Sequence, residues 1–199
     1  MNICIMGGTF SPIHNAHLLI AQLAKEEFAI DRLLFMPSGN PPHKRDRHII
    51  SSEHRAEMVR IAISDNPQFE LCDYEIEKKS YSYTSETLEY FKNKYPNDRL
   101  YFIIGGDSLA AFETWHRPEQ ILSLADILVF ERSGYCDDTE KSTEHLNKKY
   151  NANIHLIHAP KFDISSSMIR ERLAEGKTVK YMLPDGVIDY IYKNSLYGV

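Results

Sequence analysis

Ile3-Cys4-Ile5-Met6-Gly7-Gly8-Thr9-Phe10-Ser11-Pro12-Ile13-His14-Asn15-Ala16-His17 is the stretch whose reading decides the fold. Four successive apolar residues, Ile3 to Met6, suit a strand covered on both faces. Two glycines follow, and the pattern then turns helical, with Leu19, Leu23 and Ala24 on one face of His17 to Phe28. The same alternation continues along the chain. Leu33–Met36, Phe69–Cys72, Leu100–Ile104, Ile127–Phe130 and Ile154–Ile157 read as further strands. Glu53–Ser64, carrying Met58, Val59 and Ala62, and Thr84–Lys94, carrying Leu88 and Phe91, read as helices. Strand and helix in regular alternation predict an α/β fold, a doubly wound parallel sheet.

The chain has 199 residues, 43% hydrophobic and 26% charged, which suits one globular domain spanning residues 1–199. Lys plus Arg number 23 against 28 for Asp plus Glu, a net charge of −5 that disfavours nucleic-acid backbone as the main partner. Cys4, Cys72 and Cys136 are far apart and lack C-x-x-C spacing, so neither a disulfide framework nor a zinc site is expected. Cys4 reads as a small core residue. The N-terminus shows no secretory pattern and no apolar run reaches membrane-spanning length, so a cytoplasmic location is expected. Homo-oligomerisation is left open.

Three stretches interrupt the alternation. Pro37 to His48 contains Gly39, Asn40, Pro41 and Pro42 and ends in Lys44, Arg45 and Arg47, a stiff loop with positive charge. Gly105-Gly106-Asp107 directly follows a strand. Asp163 to Ser167 leads into a helix closed by Gly176, and Pro184 opens a last amphipathic helix. Asp137–Lys149 reads as a solvated surface helix without a functional role.

The Gly7-Gly8 turn opens where ligands bind in such sheets, beyond the strand ends, and a helix start adds free amides and a favourable dipole. It is neither G-x-G-x-x-G nor G-x-x-x-x-G-K-[ST], so the dehydrogenase and P-loop readings lose their defining residues. His14 and His17, three apart in a first helical turn, face one side. Taken alone, the pair reads as a cap and a satisfied core histidine. No third ligand or general-base Glu lies nearby for zinc, and no protein-held metal is expected. Beside backbone amides, two imidazoles make a donor cluster suited to phosphate oxygens. Ser165-Ser166-Ser167 at a helix start, with Arg170 one turn on, is either a serine cap before a surface Arg or an anion site.

Together these stretches resemble a known family. Gly7 to His17 is similar to the G-G-T-F-D-P-x-H-x-G-H motif of the nucleotidyltransferase superfamily, with Ser11 for Asp and Ala16 for Gly. Ile164 to Arg170 is similar to its I-S-S-T-x-I-R element, with Ser167 for Thr. Pro41-Pro42-His43-Lys44, Ser82-Tyr83-Thr84, Gly105-Gly106-Asp107-Ser108 and Trp115 resemble the bacterial nicotinate-nucleotide adenylyltransferases over nearly the whole chain.

That resemblance implies a Rossmann-like nucleotidyltransferase fold and a reaction of ATP with nicotinate mononucleotide, giving nicotinate adenine dinucleotide and pyrophosphate, with magnesium carried on ATP. It implies that His14, His17 and amides of Gly7, Gly8, Thr9 and Phe10 hold the α- and β-phosphates. Arg170, Ser165 and Ser166 would grip the β- and γ-phosphates, and Gly105 with Asp107 would meet the adenosine ribose. On the acceptor side it implies Asn40 as a substrate contact, Lys44 and Arg132 toward the mononucleotide phosphate, Trp115 stacked on the pyridine ring, and Thr84 at its carboxylate. Two alternatives stay open: the same chemistry on another phosphate acceptor, such as phosphopantetheine, and a non-enzymatic nucleotide-sensing module.

Overall fold

The computed structural model describes residues 1–39, 49–78, 82–130, 136–160 and 163–199, with backbone alone for 136–138. Its strands are β1 (Asn2–Gly8), β2 (Arg32–Pro37), β3 (Phe69–Leu71), β4 (Arg99–Gly105), β5 (Asp126–Phe130) and β6 (Ile154–Leu156). Among the described residues they form one sheet in the order β3-β2-β1-β4-β5-β6, every pairing parallel. The chain starts in the middle of the sheet and winds outward one way and then the other, so the order switches between β1 and β4. Met36 pairs with Gly7 and Ile103 with Met6, which brings the carboxyl ends of β1 and β4 to the same edge of the sheet.

The helices are α1 (Asn15–Glu27), α2 (Ser52–Ala62), α3 (Tyr74–Glu77), α4 (Thr84–Lys94), α5 (Gly106–Ala110), α6 (Pro118–Leu124), α7 (Cys136–Tyr150), α8 (Ser166–Ala174) and α9 (Asp185–Lys193). They cover both faces. Cys4, Met6, Phe35 and Ile103 point into a core shared with α1, α2, α8 and α9. Their strand neighbours Ile3, Ile5, Leu34 and Phe102 point into the opposite core, against Leu88 and Phe91 of α4 and Ile121 of α6. This two-sided burial is why the strands are apolar at successive positions. Cys4 is fully buried, and desolvation pushes its thiol far up, which makes it an inert core residue.

Two helical faces differ from the sequence reading. Leu19 is 37% exposed, while Ala16, Ile20, Ala21 and Ala24 are the buried residues of α1. The inward stripe passes through 16, 20 and 24, and Leu19 falls one residue to its side. The polar helix α7 has an inward face as well, with Thr139 and Leu146 buried. Thr139 packs behind Gly106, where a side chain would meet its hydroxyl. The short helices α3, α5 and α6 span less than two turns or barely so, too few residues for a periodic signal to emerge.

Candidate active site

A cavity of about 610 Å³ opens at the switch point. Its floor is the end of β1 and β4, and its walls are the starts of α4, α5 and α8.

The loop from Gly8 to His14 carries the tightest geometry. Phe10 has φ 46°, the left-handed region, uncommon for a residue with a bulky side chain. Its buried ring lies edge-on to His17, with centroids 5.1 Å apart, and packs against Phe35. That ring also explains the second glycine. A Cβ on Gly8 would sit 3.0 Å from the Phe10 ring, so a side chain there would have to push that buried ring aside by a few tenths of an ångström.

His14 caps α1 and His17 is its third helical residue. Their rings stack at 3.6 Å, on one side of the helix as their spacing predicts. The His14 backbone N–H donates to His17 Nδ1 at 3.2 Å. An accepting Nδ1 carries no proton, so the neutral His17 ring presents its N–H at Nε2. His17 lines the cavity, whereas His14 is only 2% exposed and lies behind it. The structure thus separates two residues that the sequence treats as equals.

The start of α8 reaches across to this loop. Ser165 is the N-cap, accepting the Met168 N–H at 3.2 Å. Ser166 Oγ donates to the Pro12 carbonyl at 2.8 Å. Arg170 donates through Nη1 to the Ser11 carbonyl at 2.7 Å and through Nη2 to Ser167 Oγ at 3.1 Å. The serine-cap reading is therefore right for Ser165, and the Ser166 hydroxyl is committed to protein. What the helix start offers an anion is its backbone N–H groups, its dipole and the Arg170 charge. Ser11, which stands where the superfamily has Asp, shares its hydroxyl with Tyr197 at 3.1 Å. Burial pushes the Tyr197 phenol up to about 12. Ala16, the other departure in the first motif, is buried in the core.

Gly105 ends β4 and caps α5, and Asp107 in the first turn of that helix is exposed at the cavity wall. A further wall comes from α4, which begins at Thr84, a residue that lines the cavity. Ser85 is buried, its hydroxyl 3.1 Å from His116 Nδ1, and the His116 ring packs against Tyr83 at 4.5 Å. Trp115 is half-buried, lines the cavity and stacks on Phe112 at 5.2 Å. Asn40, Lys44 and Arg132 lie outside the described residues.

Glu75 and Ser38 also line the cavity; Ser38 lies in the 37–48 stretch but is not among the residues that its pattern picks out, and Glu75 belongs to no motif that the sequence shows. Glu75 is 8% exposed, accepts the Thr87 hydroxyl at 2.9 Å, and is pushed up by burial. Among the described residues no group of three or more His, Cys, Asp or Glu side chains is placed to hold a metal ion.

The chain matches the cytidylyltransferase-like family over residues 5–172. It is 44% identical to a Lachnoclostridium phytofermentans protein described as a probable nicotinate-nucleotide adenylyltransferase, covering 97% of each chain. Plasmodium falciparum nicotinic acid mononucleotide adenylyltransferase complexed with NaAD superposes with a TM-score of 0.81 at 25% identity, covering 98% of this chain and 97% of that one. The same enzyme complexed with APC gives a TM-score of 0.79, also at 25% identity, over 98% and 96%. The chain belongs to the cytidylyltransferase-like family and, within it, to the nicotinate-nucleotide adenylyltransferases.

Proposed function

We propose that the cavity between β1, β4 and the start of α8 is where the chain performs its family's reaction. The protein is an enzyme that transfers the adenylyl group of ATP to nicotinate mononucleotide, forming nicotinate adenine dinucleotide and pyrophosphate. The observation that carries the site assignment is the bonding between its two phosphate motifs. Arg170 and Ser166 donate to the carbonyls of Ser11 and Pro12, so both motifs face one cavity as a single unit.

The phosphate of the mononucleotide is already anionic at neutral pH, so its attack on the α-phosphorus of ATP needs no base. Catalysis rests on in-line positioning and on donors aimed at charge spread over the phosphoryl oxygens. His17, with Nδ1 held by the His14 amide, directs its Nε2–H toward the α- and β-phosphates. His14 supports that ring by stacking and by its backbone N–H. The amides of Gly7 to Phe10 line the same path. Arg170 and the N–H groups opening α8 neutralise the β- and γ-phosphates, which leave as pyrophosphate. Magnesium arrives as part of the MgATP substrate. Asp107 accepts from the ribose hydroxyls, while the Trp115 face takes the pyridine ring and the N–H groups opening α4 at Thr84 take its carboxylate.

A panel of phosphate acceptors with MgATP, read by pyrophosphate release and product identity, tests this reading. Nicotinate mononucleotide is expected to give the dinucleotide. ATP binding without any product would favour a sensing module, and turnover of phosphopantetheine alone would move the acceptor assignment.

A further inference from the structure

We propose that Arg55 is a positioning residue for adenylyl transfer: from α2 its guanidinium grips the phosphate loop and the end of β2 in one fork and fixes their relative placement. The proposal rests on the functional reading above. Arg55 is 2% exposed and does not line the cavity. Nη1 donates to the Thr9 carbonyl at 2.8 Å, and Nη2 to the Ser38 carbonyl at 2.7 Å, with the Gly39 carbonyl at 3.3 Å.

Every one of these acceptors is a neutral backbone carbonyl, and they belong to two different loops. Filling the volume with an apolar side chain would avoid burying a charge, which is costly without close geometric satisfaction. What a guanidinium adds is a planar fork that sets angles. A trans peptide unit is flat, with its carbonyl and its following N–H pointing opposite ways. Holding the Thr9 carbonyl therefore sets the direction of the Phe10 N–H, on a residue whose left-handed φ of 46° needs its surroundings to maintain it. Holding the Ser38 carbonyl turns the Gly39 N–H toward Glu75, whose carboxyl accepts it together with the Thr87 hydroxyl. A side chain on Gly39 would collide with the Glu75 carbonyl oxygen, so this turn is pinned on both sides. Thr9, Phe10, Ser38 and Glu75 all line the cavity. Arg55 touches neither substrate and acts through both loops.

The test compares wild type, Arg55→Lys, Arg55→Met and Met58→Ala. Lysine keeps the charge and loses the fork; methionine keeps much of the volume and loses both. Displacing reacting groups by a fraction of an ångström lowers turnover more than affinity, so kcat is expected to fall about 10-fold in Arg55→Lys and about 100-fold in Arg55→Met. KM for MgATP and for the mononucleotide should each move less than about threefold. Met58→Ala makes a cavity in the core beneath the same helix and leaves the Arg55 hydrogen bonds to both loops in place, so it should lower the unfolding midpoint and leave kcat of the folded enzyme unchanged. Should Arg55→Met fail to fold, Arg55→Lys carries the comparison. A kcat in folded Arg55→Lys equal to wild type, with wild type active, overturns the proposal. Wild type that binds MgATP by titration calorimetry yet makes no dinucleotide overturns the reading beneath it instead.

Discussion

At one end of the cavity, Arg170, Ser166 and Arg55 donate to the carbonyls of Ser11, Pro12 and Thr9, so that three side chains from two helices hold one loop. At the other end, the start of α4 and the Trp115–Phe112 stack present a helix terminus and a ring face, with Ser85 and His116 bonded beneath them. The first end is fixed in geometry before any ligand arrives, which suits stabilisation of charge that develops only during reaction. The second end offers shape and a field, which suits choosing one acceptor over another. On the proposed reading the difference separates chemistry from selection, and each end has a measurement that can break the separation.

The largest effect is expected at His17. Its Nε2–H is set by the bond from the His14 amide to Nδ1. His17→Ala should lower turnover by about 10²–10³, or ~3–4 kcal/mol, with a smaller change in MgATP affinity and little change in unfolding midpoint. Near-normal turnover would make the fixed end a scaffold only.

Next comes the acceptor end. The N–H groups of Thr84 and Ser85 open α4 toward the cavity side and attract a carboxylate, whereas a carboxamide brings donors to donors. Kcat/KM for the acid mononucleotide should exceed that for the amide by about 30- to 1,000-fold, or ~2–4 kcal/mol. Equal values measured under one set of conditions would remove the helix start as the selecting element.

The smallest effect concerns the clasp on Ser11. Tyr197 ordinarily titrates at 10.0 and is pushed up to about 12 by burial. A raised phenol stays neutral in the folded protein while it ionises in the unfolded chain, so its contribution is intact below pH 10 and is lost as pH rises toward 12. Thermal unfolding from pH 8 to 12 should therefore fall more steeply in wild type than in Tyr197→Phe. At neutral pH that variant should lose about 1 kcal/mol for one hydrogen bond. An identical alkaline slope in both proteins would show that Tyr197 is not sensed by folding.

Much of this molecule is written locally. The apolar runs from Ile3 to Phe130 and the helical stripes of Met58–Val59–Ala62 and Leu88–Phe91 predict the strands and helices that form, because two-sided burial and a 3.6-residue period both act on neighbours in the chain. The His14–His17 pair is legible for the same reason: residues three apart in a helical turn must meet, and their rings do stack. Thr84 and Ser165 also announce themselves as helix starts.

What only the tertiary structure decided are relations between segments distant in sequence. No local rule tells that Arg170 bonds Ser11 across 159 positions, or that Tyr197 meets Ser11 across 186. Nor does one tell that Arg55 turns its charge inward onto Thr9 and Ser38, since an Arg on a helix is ordinarily a solvated residue. The split between a cavity-lining His17 and a buried His14 is of the same kind, set by the walls packed around α1. Sequence specifies which groups can donate, accept or carry charge; which of them face one another follows from the order in which the parallel strands lie side by side, and that order is a property of the packed sheet.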